Sequence, residues 1–301
     1  MNDPEAQVRA CYSKWCGHYH DEFYGADASY PPVHRDLLKQ LLRKAGVKSV
    51  LDAGCGPASF LRDLVGEGVD LYGFDLTPEM VDEARRVLSA RGFSADHIWT
   101  GSVLDPAAFR APGPGGAAPF DAAVCVGVLP HVPQNADVSV IRNLRGAVRE
   151  GGLVVLEARN QLFALFTLNR YSYRLFVDDL IRAGELTDRA GAEATGLRAA
   201  LESFTRHFRM DLPPVRRGQA GEPGYDEVLS RTHNPLVLKQ QFVGAGFTDV
   251  RVLFYHFHCL PPMFEAEVPE LFRRVSVAME DPEDWRGHFM ASAFLLVGNR
   301  A

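Results

Sequence analysis

Basic residues are in the minority: 32 Lys and Arg stand against 38 Asp and Glu, a formal net charge of −6 with no long run of either sign. Nucleic-acid binders usually carry a basic footprint, so no nucleic-acid partner is expected. No apolar run reaches the roughly 18 residues that a membrane-spanning helix needs, so no membrane partner is expected either. Cysteine is scarce and scattered: Cys11, Cys16, Cys55, Cys125 and Cys259 are odd in number and form no CxxC pair. No Cys/His spacing suggests zinc, so the expected metal content is none. A reduced, cytoplasmic setting is the simplest expectation. The opening Met1-Asn2-Asp3-Pro4-Glu5 is acidic and does not resemble a secretory leader. There is no internal repeat. What remains is 301 residues, 47% hydrophobic and 23% charged, enough for one sizeable core plus an elaboration.

The most informative stretch is Val50-Leu51-Asp52-Ala53-Gly54-Cys55-Gly56-Pro57-Ala58-Ser59-Phe60. It opens as an apolar run suited to a buried strand and breaks at Asp52 into two glycines spaced one apart. Residues 57–66 then resume helical spacing, with Phe60, Leu61, Leu64 and Val65 as the apolar set. Strand, glycine turn and helix bring backbone N–H groups against a nucleotide. A second apolar strand, residues 69–74, ends in Asp75, placed to accept hydrogen bonds from a ribose. Two nucleosides fit this pattern, a nicotinamide or flavin dinucleotide and S-adenosylmethionine. A dinucleotide fingerprint wants Gly or Ala where this chain has Ser59. An acid at Asp52 suits the ammonium of a methionine moiety better than a pyrophosphate.

At Leu51-Asp52-Ala53-Gly54-Cys55-Gly56 the sequence resembles the first motif of the class I S-adenosylmethionine-dependent methyltransferases. The chain order agrees. Strands near 48–53, 69–74, 97–100, 120–126 and 153–157 alternate with helices, and Thr77-Pro78 is placed to cap the helix after the second strand. Asn234, Pro235 and Gly246 punctuate a further helix. Strands at 248–257 and 290–297 complete the set. The resemblance implies an α/β, Rossmann-like, seven-stranded, mostly parallel sheet in the order 3-2-1-4-5-7-6, with helices on both faces. It also implies a largely helical lid inserted after strand five. The expected organisation is a helical flap over 1–46, a cofactor-binding core over 47–159 and 233–301, and a substrate lid over 160–232. That lid segment holds eight Phe or Tyr residues and no Lys, with helical pieces expected at Leu162–Phe176 and Leu197–Phe208.

The resemblance also implies site residues. Asp52 and the Gly54-Cys55-Gly56 backbone would meet the methionine end of S-adenosyl-L-methionine, and Asp75 the ribose. Leu76 and Met80 would pack on the adenine, the Val103–Leu104 backbone would meet its edge, and Asp105 would accept from its amino group. Many relatives carry an acid directly after the glycine, where this chain has Ser102, and an Asp105 helix cap is the competing reading. Cys125 closes strand four beside the cofactor. His131, after strand four, and His233, where the lid rejoins the core, are the candidate general bases. Tyr171, Tyr173 and Arg231 are candidate substrate contacts. A local basic group, Arg206, His207, Arg209, Arg216 and Arg217, is either a solvated face or an anion contact. The implied activity is methyl transfer to an O or N atom of a small molecule, possibly a sugar or secondary metabolite. The alternatives are a protein or RNA methyltransferase, a non-catalytic S-adenosylmethionine-binding protein and, last, an NAD-dependent reductase.

Overall fold

Short apolar runs bounded by turn residues form seven strands: β1 Ser49–Ala53, β2 Asp70–Asp75, β3 Ile98–Thr100, β4 Phe120–Cys125, β5 Val148–Arg159, β6 Phe247–Phe257 and β7 Ala291–Arg300. In this computed structural model, which describes residues 4–25, 31–113, 119–212 and 228–301, they make one sheet in the order 3-2-1-4-5-7-6. The first five strands pair in parallel, and β7 lies antiparallel between β5 and β6. The expected sheet order is the one found.

Successive residues along each strand feed opposite faces. Leu51, Phe74, Ala123, Leu156 and Phe294 enter one core, whereas Val50, Leu71, Val124, Val155 and Leu295 enter the other. Burial on both faces is what a mainly parallel sheet requires, and helices supply it. Val33–Lys44 (α3, after the amino-terminal helices α1 Pro4–Trp15 and α2 Tyr19–Tyr24) and Pro78–Ser89 (α4) cover the second face through Leu38, Leu42, Val81 and Leu88. Asp137–Ala147 (α5) and the helix Pro235–Gly244 cover the first through Val140, Ile141, Leu144, Leu238 and Phe242.

Some local expectations need correcting. The helix over 57–66 is not there. Ala58 adopts φ +58°, and only Leu61–Leu64 coil, as one 3-10 turn that Val65 leaves in extended geometry. The apolar spacing is met because this short turn buries Phe60, Leu61 and Leu64 without an α-helix. Thr77 does precede α4 with Pro78 behind it, but its side chain makes no cap bond. Asn234 does cap its helix, accepting from the Leu236 N–H at 3.0 Å. The span Leu162–Phe176 is broken into pieces, with Leu168 left-handed at φ +53° between Ala164–Thr167 and Arg170–Arg174. The later helix of the 160–232 segment runs Ala194–Thr205. Arg216 and Arg217 lie outside the described residues.

Candidate cofactor and methyl-transfer site

At the carboxyl ends of β1, β2 and β4 the sheet opens into two adjoining cavities, a larger and a smaller, which share Tyr19, Gly54, Gly56 and Val126 in their walls. The glycines are there because the backbone demands them. Gly54 has φ +89°, and a Cβ on it would stand 2.2 Å from Val128 Cγ2. Gly56 has φ +52° and Gly127, after β4, has φ +75°, conformations L side chains rarely adopt.

Asp75 ties this turn to the next helix. Its carboxylate accepts from the Gly56 N–H at 2.9 Å and from the Thr77 N–H at 2.8 Å. Burial nevertheless raises its pKa above the ordinary carboxylate range. Asp52, 4% exposed at the end of β1, is pushed up to about 8 by burial first and by Asp75 second. Neither cavity wall contains a Lys or Arg among the described residues. Two acids crowded together with no cation nearby make a place for a positively charged ligand and a poor place for a pyrophosphate.

The larger cavity gathers Gly54, Gly56, Asp75, Leu76, Met80, Val103 and Leu104 from the expected set, and the smaller one gathers Asp52 and Cys55. Cys125 is fully buried in the core behind them and lines neither. Asp105 also lines neither; it is exposed and accepts from the Ala107 N–H at 2.9 Å, capping the turn Pro106–Phe109.

His131 stands on the wall of the larger cavity, with both ring nitrogens engaged. Nδ1 faces the Leu229 carbonyl at 2.7 Å, so it carries the proton, and Nε2 then accepts from the Tyr12 hydroxyl at 2.8 Å. Burial, and then the Arg159 charge, lowers its pKa to about 4. His233 lines neither cavity and is 5% exposed. Its backbone N–H donates to the Arg159 carbonyl at 2.7 Å, and its ring Nε2 lies 3.7 Å from Asp137. Arg231 is committed to the same Asp137 through two bonds of 2.9 and 2.7 Å. Tyr171 stacks under the Arg170 guanidinium at 5.1 Å, and Tyr173 joins Phe176, Phe204 and Phe208 in an aromatic cluster of the inserted segment. Neither tyrosine reaches the two cavities.

Tyr12 and Tyr19, from the aromatic-rich amino-terminal stretch where the family resemblance leads one to expect a tyrosine against the cofactor, stand on the wall of the larger cavity, whereas Glu5 and Val8 of the same stretch carry no sequence signal. Glu157, on β5, accepts from the Gly127 N–H at 2.7 Å and from the Tyr255 hydroxyl at 3.2 Å, and so fixes the loop after β4.

The sheet order, the glycine turn and the acid ending β2 define the class I, Rossmann-like methyltransferase fold. Residues 51–154 match the family described as a methyltransferase domain. The ubiquinone biosynthesis O-methyltransferase of Xanthomonas axonopodis pv. citri (strain 306) is 32% identical over 137 residues, which cover 46% of this chain and 53% of that protein. The protein of that name from Actinobacillus pleuropneumoniae serotype 7 (strain AP76) is 24% identical over 155 residues, 48% of this chain and 63% of its own. The chain thus spans about half to two thirds of the length of these curated relatives. Magnesium protoporphyrin IX methyltransferase from Synechocystis PCC 6803, solved with bound SAH, shares the fold with a TM-score of 0.55 at 14% identity, over 99% of this chain and 100% of that one. Residues 51–154 are thus similar to a methyltransferase domain, and the chain has the Rossmann-like fold of the Synechocystis enzyme.

Among the described residues no cluster of His, Cys, Asp or Glu is arranged to hold a metal, and no helix is long and apolar enough to cross a membrane.

Proposed function

We propose that this protein transfers the methyl group of S-adenosylmethionine to an O or N atom of a small molecule, of the kind met in sugar or secondary metabolism. The observation that carries this reading is the buried Asp52 and half-buried Asp75 at a glycine turn whose cavities are lined by no Lys or Arg among the described residues. The O-methyl transfer named for the Xanthomonas relative supports oxygen as the acceptor atom. Five free cysteines suit a reducing cytoplasm.

When bound, S-adenosylmethionine supplies a methyl group already activated on a sulfonium, whose electron pair stays with sulfur as the new C–O or C–N bond forms. The chain's residues bind, orient and exclude water. Asp52 holds the ammonium of the methionine end, Asp75 the ribose hydroxyls, and Leu76 and Met80 the faces of the base. The flap closes over them through Tyr12 and Tyr19. The insertion 160–232 acts as the acceptor's lid; its returning segment is bonded to His131 on the cavity wall through the Leu229 carbonyl, and the Arg231 N–H donates to the neighbouring Pro130 carbonyl at 2.9 Å.

Of the two candidate bases, His131 is the one on the wall, and we assign it the orientation of Tyr12. A ring held at about 4 is neutral from pH 6 to 9 and takes a full proton poorly. The methyl-transfer rate is therefore expected to show no step from His131 across pH 6–9. A His131→Ala change that abolishes a rate step near pH 6.5 would disprove this assignment.

Calorimetry tests the cofactor, and labelled S-adenosylmethionine with a panel of small phenols, sugars and amines tests the reaction. Asp75→Ala is expected to weaken cofactor binding by roughly 1–3 kcal/mol, since it removes charge-assisted hydrogen bonds. Binding of NAD without any adenosylmethionine signal would overturn the reading. Binding without transfer to any acceptor would leave a cofactor-binding protein that is not an enzyme.

A further inference from the structure

We infer that Glu5, delivered by helix α1 and not by the sheet, reads the amino edge of the adenine base. This rests on the adenosylmethionine reading above. The wall of the larger cavity presents two carboxylates, Asp75 and Glu5. Asp75 belongs to the glycine end, where its oxygens hold the Gly56 and Thr77 N–H groups. Glu5 stands at the Ser102–Leu104 end, where the Ser102 hydroxyl donates to its Oε1.

The chemistry of that end leaves Glu5 as its acceptor. The one hydroxyl proton of Ser102 is committed to Glu5, and its oxygen already accepts from the Leu104 N–H at 3.0 Å. A carboxylate has about four lone-pair sites and can accept from several donors at once. Between the two acids Phe74, Leu76 and Met80 supply apolar surface for a flat base. A ligand that spans such a slot needs hydroxyls at one end and an amino donor at the other, which describes adenosine. Asp105, the acid nearest in sequence to this edge, is turned to solvent and spent on capping the turn that follows it.

Glu5 is in place only when α1 is. The helix is held by Tyr12 on His131, by Cys16 Sγ on the Glu79 carbonyl at 3.3 Å, and by Cys11 and Trp15 packed with Val228 of the lid return. Base recognition and closure of the flap are thus one event.

The test is a comparison of two ligands on two proteins, read by calorimetry without turnover. S-adenosylhomocysteine offers an amino donor at position six of the purine; S-inosylhomocysteine offers a carbonyl there, which a carboxylate repels. The wild-type protein is expected to prefer the adenosyl ligand by on the order of 100-fold. In Glu5→Gln the side-chain amide can donate to the carbonyl, so the preference should fall below about 10-fold. Any general loss of folding or helix stability affects both ligands and cancels in the ratio. An unchanged ratio in Glu5→Gln, with the wild-type protein binding S-adenosylhomocysteine, overturns the role of Glu5 alone. A wild-type protein that binds neither ligand overturns the cofactor reading with it.

Discussion

Replacing Asp52 by Asn is expected to stabilise the ligand-free protein at pH 8 while weakening its hold on S-adenosylmethionine. The folded Asp52 keeps its proton up to about pH 8, whereas an unfolded aspartate loses it near 3.8. Between those values the folded state binds the extra proton, so this group's contribution to stability falls as pH rises from about 4 to 8 and is level above. This is opposite in sign to a salt-bridged aspartate. Asn has no proton to lose, and the gain at pH 8 is expected to be about 2 kcal/mol or more, at about 1.4 kcal/mol per unit of pKa shift. In the proposed binding mode the ligand's ammonium wants the ionised form of Asp52, so binding must expel its proton. Wild-type affinity should rise from pH 6 towards 8 and then fall as the ligand's own amino group, with a pKa near ~8, loses its charge. Titrations in two buffers of different ionisation enthalpy measure the proton released. A wild-type affinity that is flat from pH 6 to 8, or an Asn variant no more stable at pH 8, would refute the account.

Asp137→Ala is expected to be the most damaging single change outside the cofactor cavities. The Asp137 and Arg231 side chains are only 7% and 17% exposed, and their bidentate contact lies at the first turn of α5, where a carboxylate also complements the helix dipole. Burial acts to raise the Asp137 pKa, but Arg231 and then His233 hold it below its ordinary value. Truncating the acid leaves a guanidinium largely buried without its counter-charge, at a cost of about 3 kcal/mol. For a chain of this length that lowers Tm by roughly 5 °C. The damage is local in origin, because Arg231 and its neighbours stitch the end of the inserted segment to the loop after β4. Proteolysis near 228–233 should quicken and cofactor affinity should drop with it. Restoring apolar packing, in Asp137→Leu with Arg231→Met, is expected to recover part of the stability. A single variant within about 0.5 kcal/mol of wild type would show that the pair is not structural.

The parts of this molecule that were legible in its sequence are those where local chemistry has a single structural meaning. Apolar runs ending at Asp52 and Asp75, glycines at positive φ and the Asn234-Pro235 start each point to one geometry, and these fix the sheet and the cofactor turn. The residues 57–66 show the limit. An apolar set at i, i+3 and i+4 is satisfied by one tight turn as well as by a helix, and Ala58 at φ +58° decides for the turn. Asp105-Pro106 carried two readings, and the cap bond to Ala107 is the one formed. Glu5 and Glu157 were not legible because their importance comes from what faces them: Ser102 lies 97 residues from Glu5, and Gly127 lies 30 from Glu157. The roles of His131 and His233 likewise depend on tertiary neighbours, Tyr12 and Leu229 for one, Asp137 for the other.

The small core shared by Cys11, Trp15 and Val228 has a consequence for motion. It joins the amino-terminal helix to a segment more than 200 residues away, and His131 bonds to both through Tyr12 and Leu229. Neither piece can swing aside without exposing the indole that the two bury together. Their backbone amides should therefore exchange with solvent as one cooperative unit, slowed together when the cavities fill. The frequency with which the site breathes is then set by a small apolar contact that lines neither cavity.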